Sequence, residues 1–151
     1  MKVALGSDHA GFEVKEHLRA RLESLGHQVV DVGTRGTESC DYPDFAEKVA
    51  RAVAGGGAER GVLICGTGIG MSMAANKVAG VRAAVVTDEL SAEMSRRHND
   101  ANVFCAGARM MASDRIAKLV ELFLATPFEG GRHERRVKKI SDLESKSHRQ
   151  S

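Results

Sequence analysis

Strands and helices that alternate five times along 151 residues, with one more helix at the end, predict an α/β protein. The expected architecture is a three-layer α/β/α domain: a doubly wound, Rossmann-like, five-stranded parallel sheet with an extra C-terminal helix. Three observations carry this. Short runs rich in Val, Leu and Ala recur, as strands buried on both faces require. Each is followed by a segment with apolar residues at helical spacing. The polar residues able to do chemistry collect just after the strands, where this fold class holds its ligands.

The first strand is Lys2-Val3-Ala4-Leu5-Gly6-Ser7, and it runs into Asp8 and His9. Phe12, Val14, Leu18, Leu22 and Leu25 then mark a helix closed by Gly26. Gln28 to Val32 is a second strand, and a polar loop leads from Gly33 through Asp41 and Tyr42. Pro43 suits the first position of a helix that carries Phe45, Val49 and Val53 as far as Gly55. The third strand, Gly61-Val62-Leu63-Ile64-Cys65, breaks into Gly66-Thr67-Gly68-Ile69-Gly70 and resumes as a helix rich in Ala and Met. Val81 to Val86 is the fourth strand, and its helix runs from Asp88 or Glu89 to about Asp100. Asn102 to Ala106 is the fifth.

Ser113 or Asp114 is expected to cap a helix with Ile116, Leu119, Val120 and Phe123 inward. After Glu129-Gly130-Gly131, a charged helix is expected from Arg132 to about Leu143. One domain over 1–143 is therefore predicted, followed by a charged, disordered tail over 144–151.

Composition narrows the function. With 22 Lys and Arg against 20 Asp and Glu, the net charge is only +2. The basic end of the chain is interrupted by Glu134, Asp142 and Glu144 and lacks aromatics for base stacking, so nucleic acid is not expected as a partner. Cys40, Cys65 and Cys105 are odd in number and far apart, which suits neither a disulfide framework nor a structural metal. No apolar run is long enough for a membrane span, and none resembles a signal peptide. A reducing cytoplasm is the expected location.

The glycine loop after the third strand is the centre of any active site. A phosphate-cradling nucleotide loop needs Lys and Ser or Thr after its last glycine, whereas Met71-Ser72 stands here. The dinucleotide fingerprint has a different glycine spacing and follows a first strand, though Asp88 does lie about twenty residues on. What remains is a nest of backbone N–H groups beside the Cys65 thiol, suited to a bound anion or a developing oxyanion. The strand end, the glycines and the helix start are a setting that can lower a thiol's pKa. Cys105, inside a strand, reads as core.

Several segments together resemble the type B ribose-5-phosphate isomerases, in the larger family that includes galactose-6-phosphate isomerase subunits. They are Gly6-Ser7-Asp8-His9-Ala10-Gly11-Phe12, Asp41-Tyr42-Pro43, Ile64 to Gly70, Ala74-Ala75-Asn76-Lys77, Ser95 to Asp100, and Gly130-Gly131-Arg132-His133 with Arg136. The resemblance implies interconversion of ribose 5-phosphate and ribulose 5-phosphate through an enediolate, with no metal and no organic cofactor. It makes Cys65 the base that shuttles the proton between C2 and C1. A subset of the family places a glutamate where Met71 stands; Met71 cannot take a proton, so this chain belongs with the cysteine users. Thr67 resembles the hydroxyl that assists at O1 and O2, and the amides of Gly66, Gly68 and Gly70 would hold the enediolate oxygens.

The same resemblance makes His98 the acid that opens the furanose ring, presented by the neighbouring subunit, with Asn99 as a hydroxyl ligand. Asp8 is placed at the sugar ring and His9 at the phosphate, while Asp41 and Tyr42 line the pocket. Arg132 and Arg136, four apart and hence on one helix face, resemble phosphate clamps, and Arg109 a third phosphate contact. His133 is expected to face away and is left out of the set. A homodimer with shared active sites is implied, with tetramers left open. Two alternatives stand beside this reading. One is an isomerase of a six-carbon aldose phosphate such as allose 6-phosphate or galactose 6-phosphate. The other is a nucleotide- or anion-binding module without chemistry.

Overall fold

The computed structural model describes residues 1–150, with side chains through Lys146. In chain order the elements are β1 (Lys2–Ser7), α1 (Phe12–Ser24), β2 (Gln28–Gly33), α2 (Tyr42–Ala54), β3 (Arg60–Cys65) and α3 (Ile69–Ala75). Then follow β4 (Ala83–Val85), α4 (Glu89–Arg97), β5 (Val103–Gly107), α5 (Ser113–Ala125) and α6 (Arg132–Gln150). The predicted α/β class and its five strands are found. The sheet is parallel throughout, in the order β2-β1-β3-β5-β4.

Period-two alternation explains why helices cover both faces. Val3 and Leu5 of β1, Val62 and Ile64 of β3, and Phe104 and Ala106 of β5 join α1 and α5 in one buried cluster. Their alternates Ala4, Leu63, Cys65, Val103 and Cys105 join α2 and α3 in the other. Leu18 of α1 and Ile116, Val120 and Phe123 of α5 have no exposed surface, so each contributes roughly 1.5–3 kcal/mol of burial. Phe123 meets Phe104 edge-on, with ring centroids 5.6 Å apart. Cys105 is fully buried as expected, and burial pushes its thiol pKa up. Among the described residues, no helix is long and apolar enough to cross a membrane.

Four expectations need correction. The fourth strand is only Ala83–Val85, an edge strand rather than Val81 to Val86. Part of its backbone is satisfied by side chains: the Asn76 amide accepts from Ala83 N–H and donates to the Ala83 carbonyl, standing in for a sixth strand. The cap of α5 is Ala112, not Ser113 or Asp114, because Ile116 N–H already reaches the Ala112 carbonyl at 3.0 Å. Pro43 is the second residue of α2, which starts at Tyr42 behind an Asp41 cap.

The last helix does not stop near Leu143 but continues to Gln150, through the residues expected as a disordered tail. No glycine or proline interrupts it there. Lys138 pairs with Asp142 one turn on, and the Glu144 carboxylate accepts from Gly80 N–H. Ser151 lies outside the described residues.

Candidate active site

The strand order changes direction between β1 and β3: β1 leads outward to β2, while β3 leads the other way to β5 and β4. Open α/β sheets hold ligands at such a switch, outside the carboxyl ends of the strands. Here those ends present Ser7-Asp8-His9 from β1 and Cys65-Gly66-Thr67-Gly68 from β3, paired through Ser7 and Ile64.

Cys65 is 5 % exposed, and Gly68 N–H donates to its sulfur at 3.1 Å. A thiolate accepts such a bond better than a thiol does. The contact depends on Gly68 holding φ +83°, and a Cβ there would sit 2.9 Å from the Ala106 backbone. Thr67 lies exposed beside it, its Oγ1 accepting from Ile69 N–H. From the neighbouring β5, Ala108 N–H bonds the Cys65 carbonyl and Arg109 N–H bonds the Gly66 carbonyl, so the glycine loop is tied to a second strand end. The Arg109 guanidinium lies over Gly66.

Two more groups complete this end. Asp8 is buried and accepts from Gly11 N–H at 3.1 Å, which fixes the turn into α1. The Cys40 amide donates to His9 Nδ1 at 3.2 Å, so in the neutral ring Nε2 carries the hydrogen and can donate to an anion. Tyr42 follows the Asp41 cap, and its ring packs against Gly70. The chain thus brings together Asp8, His9, Asp41, Tyr42, Cys65, Gly66, Thr67, Gly68, Gly70 and Arg109.

It does not bring His98, Asn99, Arg132 or Arg136 to them. The helix α4 starts at the carboxyl end of β4 and runs back, so its C-cap His98 lies by the start of β5, where Val103 pairs with Gly61. Cys65 stands four residues further along β3, which is ~13 Å along the strand. Arg96, only 2 % exposed, locks this second region. Its guanidinium donates to the carbonyls of Ala101 and Thr126 and to Asp100 Oδ1, tying the end of α4 to the exit of α5. Arg132 and Arg136 are both exposed here. Asn99 lines a cleft with Asn76, Arg82, Ile140 and Leu143, away from the glycine loop.

His133 is the correction. Rather than facing away, it is 6 % exposed and stacks on His98, with ring centroids 4.1 Å apart and planes at 11°. Glu129 lies 3.9 Å from His98 Nε2. Burial and the neighbouring His98, Arg132 and Arg136 hold the His133 pKa below its ordinary value. The sequence carries only a partial signal: His133, Val137 and Ile140 recur at helical spacing, but of the three only His133 is buried and Ile140 is exposed.

Comparison with known proteins identifies the family and the fold. Residues 3–140 match the family described as Ribose/Galactose Isomerase. Ribose-5-phosphate isomerase B of Escherichia coli is 46 % identical over 145 residues, covering 96 % of this chain and 97 % of the relative. A structure of Clostridium thermocellum ribose-5-phosphate isomerase B superposes with a TM-score of 0.96 at 50 % identity, covering 97 % and 99 % of the two chains. That of the Mycoplasma genitalium ribose-5-phosphate isomerase B with bound ribulose-5-phosphate gives 0.92 at 42 % identity, covering 95 % and 96 %. With its parallel sheet, its glycine loop at the switch point and this likeness over nearly the whole chain, the protein belongs to the Ribose/Galactose Isomerase family.

Proposed function

We propose that this protein interconverts ribose 5-phosphate and ribulose 5-phosphate, with Cys65 as the base. The observation that carries the reading is the buried Cys65 sulfur, held by the Gly68 amide at the mouth between β1 and β3. Ribose 5-phosphate is mostly a closed furanose, so the C1–O4 bond must break first. O4 takes a proton from His98, and the C1 hydroxyl gives one up to water, which returns a proton to His98. Cys65 then removes the proton from C2, and charge builds on O1 within reach of the amides of Gly66, Gly68 and Gly70. Cys65 returns that proton to C1 while the O2 proton passes to O1, with Thr67 Oγ1 as the relay. Atoms and charge balance over the cycle.

His9, Arg109, Arg132 and Arg136 supply the phosphate grip, and Asp8, Asp41, Tyr42 and Asn99 line the sugar. No step calls for a metal or an organic cofactor. Because His98 and the two α6 arginines lie at the far end of the sheet from Cys65, the reading requires a second copy of the chain. A twofold pair makes two shared sites. The reducing cytoplasm suits it, since a free thiol persists there.

Complementation tests the shared site. Cys65→Ala and His98→Ala proteins, each inactive alone, are unfolded together and refolded as a mixture. Half of the dimers are then mixed, and each has one intact site, so about a quarter of native activity should return. No recovery would mean that each site belongs to one chain. Rates on ribose 5-phosphate, allose 6-phosphate and galactose 6-phosphate then test the substrate, with the five-carbon sugar expected to be fastest.

A further inference from the structure

Among the buried titratable groups that the mechanism above leaves without a task is His133. His133 stands at the head of α6, after a turn in which Gly130 and Gly131 both have positive φ. That turn is tied to α4, since Glu129 N–H donates to the Arg97 carbonyl at 3.1 Å. The chain therefore doubles back so that one imidazole lies flat on another, 4.1 Å away and 11° from parallel. The outer ring, His98, is about 39 % exposed, while the inner ring is almost wholly covered.

We propose that His133 is a positioning residue: its buried imidazole, stacked on His98, holds that ring in the orientation from which it delivers a proton to the sugar ring oxygen. The proposal rests on His98 being the ring-opening acid. An imidazole on a helix C-cap has two free side-chain torsions, and the proton must travel along one N–H direction. Misorientation of a reacting group costs up to about a hundredfold in rate. A flat partner on one face removes most of that freedom and leaves the ring still 39 % exposed.

Burial and the neighbouring His98, Arg132 and Arg136 hold His133 neutral to a lower pH than a free histidine, against the opposing pull of Glu129. The Glu129 carboxylate lies 3.9 Å from Nε2 of the exposed ring. The ligand atoms of His98, Glu129 and His133 lie within 4.8 Å of one another, but the cluster is a stack and not a chelate. One ion would have to lie in both ring planes, and planes this nearly parallel at this spacing do not meet near the rings.

Ring opening can be isolated from isomerisation. In a Cys65→Ala background the C2 proton stays in place, and catalysed opening appears only as faster exchange between the α and β anomers of ribose 5-phosphate. Saturation-transfer NMR reads that exchange. Three proteins are compared in this background at saturating substrate: His133→Leu, which keeps bulk without a ring, His133→Phe, which keeps the flat face, and His98→Gln. The leucine variant should lose about tenfold or more of the catalysed exchange. Its affinity for ribose 5-phosphate should be unchanged, and phenylalanine should restore most of the rate.

Full exchange in the leucine variant overturns the proposal, as does a phenylalanine variant no better than leucine. If leucine prevents folding, the phenylalanine variant decides alone: exchange at the uncatalysed rate overturns it. The His98→Gln protein separates the two readings. If it exchanges as fast as its parent, or if the parent shows no catalysis, His98 is not the acid and both readings fail. If it is slow while the leucine variant is fast, only the role of His133 fails.

Discussion

The two ends of the sheet are built in opposite ways. At the carboxyl end, Cys65 is held by its own loop. Gly68 N–H meets its sulfur, and Ala108 and Arg109 N–H groups bond the carbonyls of Cys65 and Gly66. Almost every tie there is backbone, made within the glycine loop and between it and the end of the adjacent strand β5, so the geometry follows wherever the fold forms. At the amino end, His98, Asn99, Arg132 and Arg136 are side chains on helix ends and an exposed face. They are held by one buried guanidinium, that of Arg96, and by one ring stack. On the proposed reading the first region is a finished half-site, and the second presents groups outward that would complete a site in another copy. A rigid half suits proton abstraction, where sub-ångström placement decides the rate, and an outward half suits gripping a phosphate.

Four experiments press on that contrast, beyond those already described. The largest effect should come at the rigid half. Cys65→Ala removes the base and should lower kcat by about 10²–10⁴ or more in a coupled isomerase assay, while calorimetric affinity for ribose 5-phosphate stays near native. A variant with near-native turnover would remove Cys65 from the chemistry.

Gly68→Ala forces a side chain into φ +83° and against the Ala106 backbone. It should cost about 2 kcal/mol of stability or more in urea unfolding, together with activity. If neither changes, the loop is not the constrained element described above.

At the α6 arginines of the outward half the effects should be smaller and confined to binding. Arg136→Ala should weaken ribose 5-phosphate by about ten- to a hundredfold, as a rise in KM, and leave the affinity for unphosphorylated ribose unchanged. Equal losses for both sugars would end the clamp reading.

The smallest effect lies at the helix starts beyond the carboxyl ends of β4 and β5, where Arg115 of α5 holds Glu89 of α4 through a two-pronged ion pair. That pairing lowers the Glu89 pKa from 4.5 to about 2. A depressed carboxylate adds stability that is present above its unfolded value and is lost as pH falls from about 4.5 towards 2. The pair is exposed to solvent, so the gain is modest. Melting temperatures of Glu89→Gln and native protein should differ slightly at pH 6 and converge near pH 2. A constant difference would show that the pair does not titrate as described.

The sequence by itself determined the α/β class, the five strands and the glycine loop with its thiol. These rest on period-two and 3.6-residue patterns and on turn residues, which act over a few positions. Cys65 was legible for the same reason, since its setting is made by its own neighbours in sequence. The switch point between β1 and β3 required the strand order, and the short edge of β4 required Asn76 to act as a stand-in partner. The reach of α6 to Gln150 turned on contacts such as Glu144 with Gly80, far apart in the chain.

Tertiary structure alone decided that His98 lies at the opposite end of the sheet from Cys65, and that His133 turns inward to stack on it. Local rules assign a residue to an element and a face. Which residues 35 positions apart will share one wall depends on how the elements pack.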